Sequence, residues 1–199
     1  MHTLILDTSS DYSLLALVKN GELLAEYPLP VGQQSLVLLP SIDGFLKCHG
    51  LKTSNLNSIA IGVGPGAFTG TRIGVTIAKT LGFAHNIPLL PFCSLMALPP
   101  KLGAFVSLLD AKSGHIYALS GHHTPNGTIY DEPKLCTLEQ LPPTTHLLSP
   151  HAPDLQAALN ISTLQWHTVQ PNAAHIATLL PSLTPTPHSE VQVLYLRTP

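Results

Sequence analysis

Charge is what this sequence has least of. Lys and Arg number 9 and Asp and Glu 11 among 199 residues, so only 10% of the chain is charged, against roughly 25% in an average domain. Much of the surface must therefore be neutral, which suits a partner better than isolation. A formal net charge of -2 excludes the basic footprint needed to grip a phosphate backbone unaided. Any nucleic acid would have to be reached through a second protein. Cys48, Cys93 and Cys136 are an odd number with no CxxC spacing, which argues for reduced thiols and against a disulfide frame or a cysteine-based zinc site. No apolar run approaches the roughly 18 residues of a membrane helix. The start, MHTLILDTSS, meets Asp7 and lacks the basic opening and apolar run of a signal peptide. A cytoplasmic protein with no membrane association is the expectation.

Catalytic signatures are missing too. There is no G-x-S-x-G elbow for a serine nucleophile. The 11 histidines never stand four residues apart, so neither HExxH nor any other HxxxH helical pair exists to hold a metal. His122 and His123 are adjacent and in a strand would point to opposite faces. No metal site is expected.

What the chain does have is a pattern that occurs twice. The opening LILDTSSDYSLLALVKNGELLAEYPL reads as three strands, Thr3 to Asp7, Tyr12 to Lys19 and Glu22 to Pro28, with Asn20-Gly21 as the hairpin turn. GQQSLVLLPSIDGFLKCHG is apolar at helical spacing, and Pro40 is expected to kink or break it. A strand from Ser58 to Val63, a helix from Thr69 to about His85, a strand from Ile87 to Phe92 and a short helix capped by Ser94 follow. After Lys101 the order begins again: a strand ending in Asp110, a return strand from His115, an Asn126-Gly127 turn and a third strand before Pro133. An ordered repeat of acid, hairpin and strand points to an internal duplication, with halves at 1–100 and 101–199. Beyond Pro133 the reading is a capped turn at Thr137 to Leu141, strand fragments near Leu147 and Trp166, and helices at Pro153 to Leu159 and Asn172 to Leu180. A rigid, polar linker, PSLTPTPHSE, leads to a last strand, VQVLYL.

The block GVGPGAFTGTRIG, Gly62 to Gly74, sits where a strand hands over to a helix. Gly62, Gly64 and Ala67 formally match the dinucleotide fingerprint, which also requires an acid roughly 20 residues on. No acid occurs between Asp43 and Asp110, and no glycine of the block is followed by lysine, so neither a dinucleotide site nor a P-loop follows. Arg72 could meet an anion at the helix start, or be salt-bridged or solvated. Gly70, Gly74, Ala78 and Gly82 recur every four residues and form one bare stripe. Glycine inside a helix costs about 1 kcal/mol, so closeness must matter, and a foreign helix lying in the stripe is the expectation. Ile73, Ile77 and Ala84 form a second face for the protein's own sheet. The helix holding Leu36 and Leu39 is the alternative neighbour for the stripe.

Asp7 and Asp110 each end the strand that opens a half. Across a cleft between duplicated halves they could hold a metal–water shell or act as a base. Alternatively they cap the turns that follow, through Ser9, Ser10 and Ser113.

ILDTSS, GVGPGAFTGTRIGVTIAKTLG, CSLMAL, LDAKSGHIYA and the terminal VLYLR together resemble the TsaB (YeaZ) family of bacterial tRNA threonylcarbamoyladenosine biosynthesis proteins. Coverage is good from Met1 to about Ala118 and at the C-terminus. The resemblance implies a duplicated actin-like, sugar-kinase-like α/β fold of two ribonuclease H-like subdomains. It also implies a non-catalytic subunit that pairs with the related catalytic protein TsaD, with the ATPase TsaE joining them. TsaD would transfer threonylcarbamoyl from its adenylate to the tRNA adenosine beside the anticodon, and this chain would meet tRNA only through the complex. On this reading the partner-facing residues are Leu36 and Leu39 on one helix, Gly66 and Phe68 before the other, and Gly70, Arg72, Gly74, Ala78 and Gly82 along it. Homodimerisation through the same helices is the expectation when the partner is absent. No cofactor is expected on this chain alone, with ATP or ADP at the complex interface. The catalytic relative carries a metal-binding histidine pair on a helix, and Gln33-Gln34-Ser35 stands here where that relative's first helix is led by histidine. The second half reads as shorter than the family pattern. Two other functions compete: an autonomous ATP-dependent phosphotransferase using Asp7 and Asp110, and a metallopeptidase. Actin-like enzymes need a glycine-rich adenosine contact in the second half, and no glycine follows Gly127.

Overall fold

Strands and helices alternate as the apolar periodicity dictates, and each half closes its own core. The structure is a computed structural model describing residues 1–30, 34–141, 146–159 and 165–197. Gln33 and the last two residues lie outside that set. The chain folds as two units, Met1–Ser94 with Asn172–Leu194, and Leu95–Pro171 with Tyr195–Pro199. This corrects the contiguous 101–199 half, because the segment Asn172–Leu194 returns to pack with the first unit.

In the first unit β1 (His2–Asp7), β2 (Leu14–Lys19), β3 (Glu22–Glu26), β4 (Ser58–Gly62) and β5 (Leu89–Phe92) form a sheet in the order β3-β2-β1-β4-β5. β1 is antiparallel to β2 and parallel to β4, and β4 is parallel to β5. Asn20 and Gly21 both take positive φ, 53° and 88°, as a two-residue turn between right-twisted strands requires. Leu4, Leu6, Leu15, Leu17, Ile59 and Ile61 share one buried cluster with α1 (Gln34–Cys48) and α2 (Phe68–His85), so both helices cover the same face of the sheet. α1 buries Leu38, Ile42, Phe45 and Leu46. Pro40 lies inside α1 and does not end it. Apolar anchors on both sides of the proline bury against the sheet and offset the hydrogen bond it removes.

The last segment of this unit is an irregular strap rather than the expected strand. α4 (Ala173–Leu179), capped by Asn172, packs along β2 and β3. Thr186 then bridges to Leu89, the Lys79 Nζ donates to the Val191 carbonyl at 2.9 Å, and the Leu194 amide donates to the Val63 carbonyl at 2.8 Å. Val191 and Val193 pack into the core cluster. Their alternation suggests a strand, but the segment finds only scattered backbone partners here.

The second unit repeats the first. β6 (Gly103–Lys112), β7 (His115–Thr124), β8 (Gly127–Tyr130), β9 (Lys134–Cys136), β10 (His146–Ser149) and β11 (Gln165–Thr168) form a sheet in the order β11-β10-β6-β7-β8, with β9 also paired to β7. β6 is antiparallel to β7 and parallel to β10, and β10 is parallel to β11. Strand for strand this is the connectivity of the first sheet. β6 runs two residues past Asp110, through a bulge. A capping box between Thr137 and Gln140 closes the short turn Leu138–Gln140, and α3 (Ala152–Leu159) packs on β10 and β11.

Candidate functional site

α2 does not offer its glycines to another chain. Thr8 and Ser9, which leave the end of β1, lie directly on them. A Cβ at Gly66 would collide with the Ser9 carbonyl oxygen, one at Gly70 with the Thr8 carbonyl oxygen, and one at Gly74 with Thr8 Oγ1. At Gly82 it would come within 3.0 Å of the Ile87 carbonyl oxygen. Thr8 Oγ1 donates to the Gly70 carbonyl at 2.7 Å, and the Ala67 amide donates to the Ser9 carbonyl at 2.6 Å. Gly74, Ala78 and Gly82 are buried. The small-residue stripe exists so that the chain's own backbone can dock, which corrects the expectation of a strip left bare for a foreign helix. Ile73 and Ile77 pack against the core cluster as expected, whereas Ala84 is exposed.

The outward face of α2 carries two large exposed aromatic side chains, one of them, Phe83, met edge-on by the His188 ring at 5.3 Å between centroids. Phe68 is 46% and Phe83 72% exposed, and with Arg72 and Thr76 they fall within about 80° of arc at roughly 100° per residue. The Arg72 guanidinium stacks over the Phe68 ring at 3.5 Å. α1 packs beside α2 and exposes Leu36 by 78% and Leu39 by 51%. Two neighbouring helices thus present large apolar side chains to solvent, with the Asp43–Lys47 ion pair on the exposed side of α1. Among the sequence-derived set, Leu36, Leu39, Phe68 and Arg72 are accessible. The small residues beneath them are the seat of α2. Phe83 is the residue that the sequence reading misses, because the glycine interval marks the other face of the helix. Its place in the same arc as Phe68 and Arg72 was legible from a helical wheel.

Asp7 is enclosed. It is 4% exposed, accepts the Ser9 amide at 2.8 Å, and abuts Gly62, where any side chain would collide with the carboxyl group. Burial pushes its pKa up, while the amide and hydroxyl of Ser9 and the hydroxyl of Ser94 pull it down, leaving it raised. The Ser94 Oγ also accepts the Gly64 amide at 3.0 Å. Asp7 and Ser94 therefore tie the end of β1 to the glycine loop, which is turn-capping work. Asp110 is similar in kind: it accepts the Lys112 amide and Nζ, both at 2.7 Å. Partial burial works against its ionisation, but those hydrogen bonds and the charges of Lys112 and His151 outweigh it, so its pKa is lowered. Ser9 is the capping partner the sequence suggested for Asp7. Lys112 takes the role expected of Ser113.

Among the described residues no group of three or more His, Cys, Asp or Glu side chains is arranged to hold a metal ion. His146 and His167 do approach each other, Nδ1 to Nε2 at 3.0 Å, a proximity the sequence could not reveal across 21 positions. No helix among the described residues is long and apolar enough to cross a membrane.

Against known families, the family model described as "TsaD: tRNA N6-adenosine threonylcarbamoyltransferase" matches residues 33–138, more than half of the chain. The TsaB proteins of Escherichia coli and Haemophilus influenzae are 30% and 34% identical over 138 and 120 residues, which are 66% and 57% of this chain. The chain belongs to the TsaD/TsaB (YeaZ) family. The matched stretch spans 60% and 51% of those two TsaB relatives. Two solved structures of YeaZ-like proteins from Pseudomonas aeruginosa superpose with TM-scores of 0.83 and 0.80 at 20% identity, each covering 98% of this chain and 99% of the other. That likeness speaks for the fold, the duplicated actin-like, ribonuclease H-like α/β architecture that the two repeated sheets display. The stretch matched by the TsaD family takes in both α1 and α2, the helices with the exposed apolar face.

Proposed function

We propose that this chain is a binding subunit in bacterial tRNA threonylcarbamoyladenosine synthesis, holding a TsaD-type partner through the outer faces of α1 and α2. The observation that carries it is the exposed apolar set Leu36, Leu39, Phe68 and Phe83 on two adjacent helices. Aromatic anchors with an arginine stacked on one of them are the composition of an interface core rather than of solvent-facing helix. The partner performs the transfer of threonylcarbamoyl to the adenosine beside the anticodon, and this chain reaches tRNA only through it. TsaE joins the pair, and ATP or ADP binds at the shared interface. In isolation the same face pairs two copies of the chain. The enclosed Asp7 and the Lys112-paired Asp110 support turn-capping roles and lend nothing to an autonomous phosphotransferase.

The test is association. Titrating the purified chain against its TsaD-type partner, Leu36→Glu and Phe68→Glu should each weaken the complex by at least about tenfold, the scale of an interface hot spot. Because both side chains are exposed in the single chain, the far-ultraviolet circular dichroism of the free variants should match the parent's. Undiminished affinity and transfer activity in the double variant would refute the reading.

A further inference from the structure

His146 opens β10 and His167 lies near the end of β11, and neither enters the proposed function. In the parallel register His146 faces Gln165, and Leu148 faces His167. Both histidines therefore rise from the same side of the sheet. Leu147 and Trp166 point to the other side, where they join Val106 and the α3 residue Leu155 in the core cluster. The two rings lie 5.0 Å apart between centroids, with His146 Nδ1 and His167 Nε2 separated by 3.0 Å.

A nitrogen–nitrogen contact of that length requires one N–H and one lone pair. A neutral pair meets the requirement, and so does a pair carrying one extra proton on an outer nitrogen. Two imidazolium rings cannot, because both facing nitrogens then donate and both rings are positive. We propose that His146 and His167 form a proton-counting latch: with at most one positive ring β11 is fastened to β10, and the second positive charge releases it. β11 ends this sheet and pairs with β10 alone among the described strands, and on the face opposite α3 the ring pair joins these two strands. Besides His146, the charged group acting on His167 is Lys101, whose positive charge also opposes protonation. Asp154 on α3 and His151 just before it go with a helix that packs on the opposite face of the sheet. Burial first, then the charges of His146 and Lys101, hold His167 below the ordinary histidine pKa, which keeps the latch shut near neutrality.

Trp166 is the chain's one tryptophan. It sits beside His167 in β11, and its Nε1 is buried with no hydrogen-bond partner among the described residues, so its emission reports whether the strand is seated. In the 199-residue chain, acidification from about pH 7.5 to about pH 4.5, across the histidine range, should move Trp166 emission to longer wavelength in a single step. His167→Gln and His146→Gln should abolish that step, and His151→Gln should leave it in place. Long-range proton–nitrogen spectra of the parent's imidazoles give a readout that does not depend on the variants folding: the two rings should titrate as a coupled pair, the second proton entering at distinctly lower pH than the first. Independent titration of the two rings, or an emission step that survives in a folded His167→Gln chain, would overturn the latch.

Discussion

At the scale of single residues, Asp7 shows what burial does to an acid that the sequence had marked for chemistry. Its folded pKa is raised, by burial above all, so the native state holds this proton more tightly than the unfolded chain does. The stability it contributes is therefore greatest below the ordinary carboxylate pKa and declines as pH climbs from there through the raised folded value. Asp7→Asn removes the ionisation while keeping an acceptor for the Ser9 amide. Its stability relative to the parent should improve between about pH 4 and pH 7, measured as the difference in urea midpoints; a difference that stays flat or falls with pH would contradict the assignment. The position of Asp7 at a strand end was legible from the sequence. Its enclosure was not, because Gly62 and Ser94, which shut it in, lie 55 and 87 positions away.

At the scale of elements, α2 shows why a spacing can be right and its meaning wrong. The four-residue interval of small residues correctly announced that something approaches closely. Spacing alone does not say whose backbone that is. Here Thr8 meets Gly70 and Gly74 and the Ile87 carbonyl meets Gly82, so Gly70→Ala and Gly74→Ala should each destabilise the fold by about 1–3 kcal/mol, the cost of overpacking a closed contact. Gly44 in α1 faces open space, with nothing within 4 Å of where a Cβ would stand, and its φ is not positive. Gly44→Ala should therefore stabilise by about 0.5–1 kcal/mol from helix propensity. Urea unfolding of the three variants checks both signs at once. Pro40 carries the complementary lesson: a helix breaker by local rule sits within a continuous helix because Leu38 and Ile42 anchor the turns around it.

At the scale of the whole molecule, the chain is a repeated topology with one interruption, the return of Asn172–Leu194 to the first unit. Val191 is 2% exposed within that unit's core, so Val191→Ala should cost about 1–2 kcal/mol from two buried methyl groups lost. Amide exchange in β4 and α2 should quicken in the variant, and unaltered exchange there would show that the strap is not part of that core. The sequence by itself determined the α/β class, the doubled strand–hairpin–strand order, the Asn20-Gly21 turn and most helix positions, because each is written in apolar period and turn chemistry within a few residues. The second hairpin turns one residue earlier than expected, at Pro125-Asn126, with Gly127 opening β8. Only the tertiary structure decided which face of α2 stays open, what encloses Asp7, where the C-terminal segment packs, and that His146 meets His167. Those outcomes depend on contacts between residues far apart in the chain, and local pattern holds no information about which distant surface arrives.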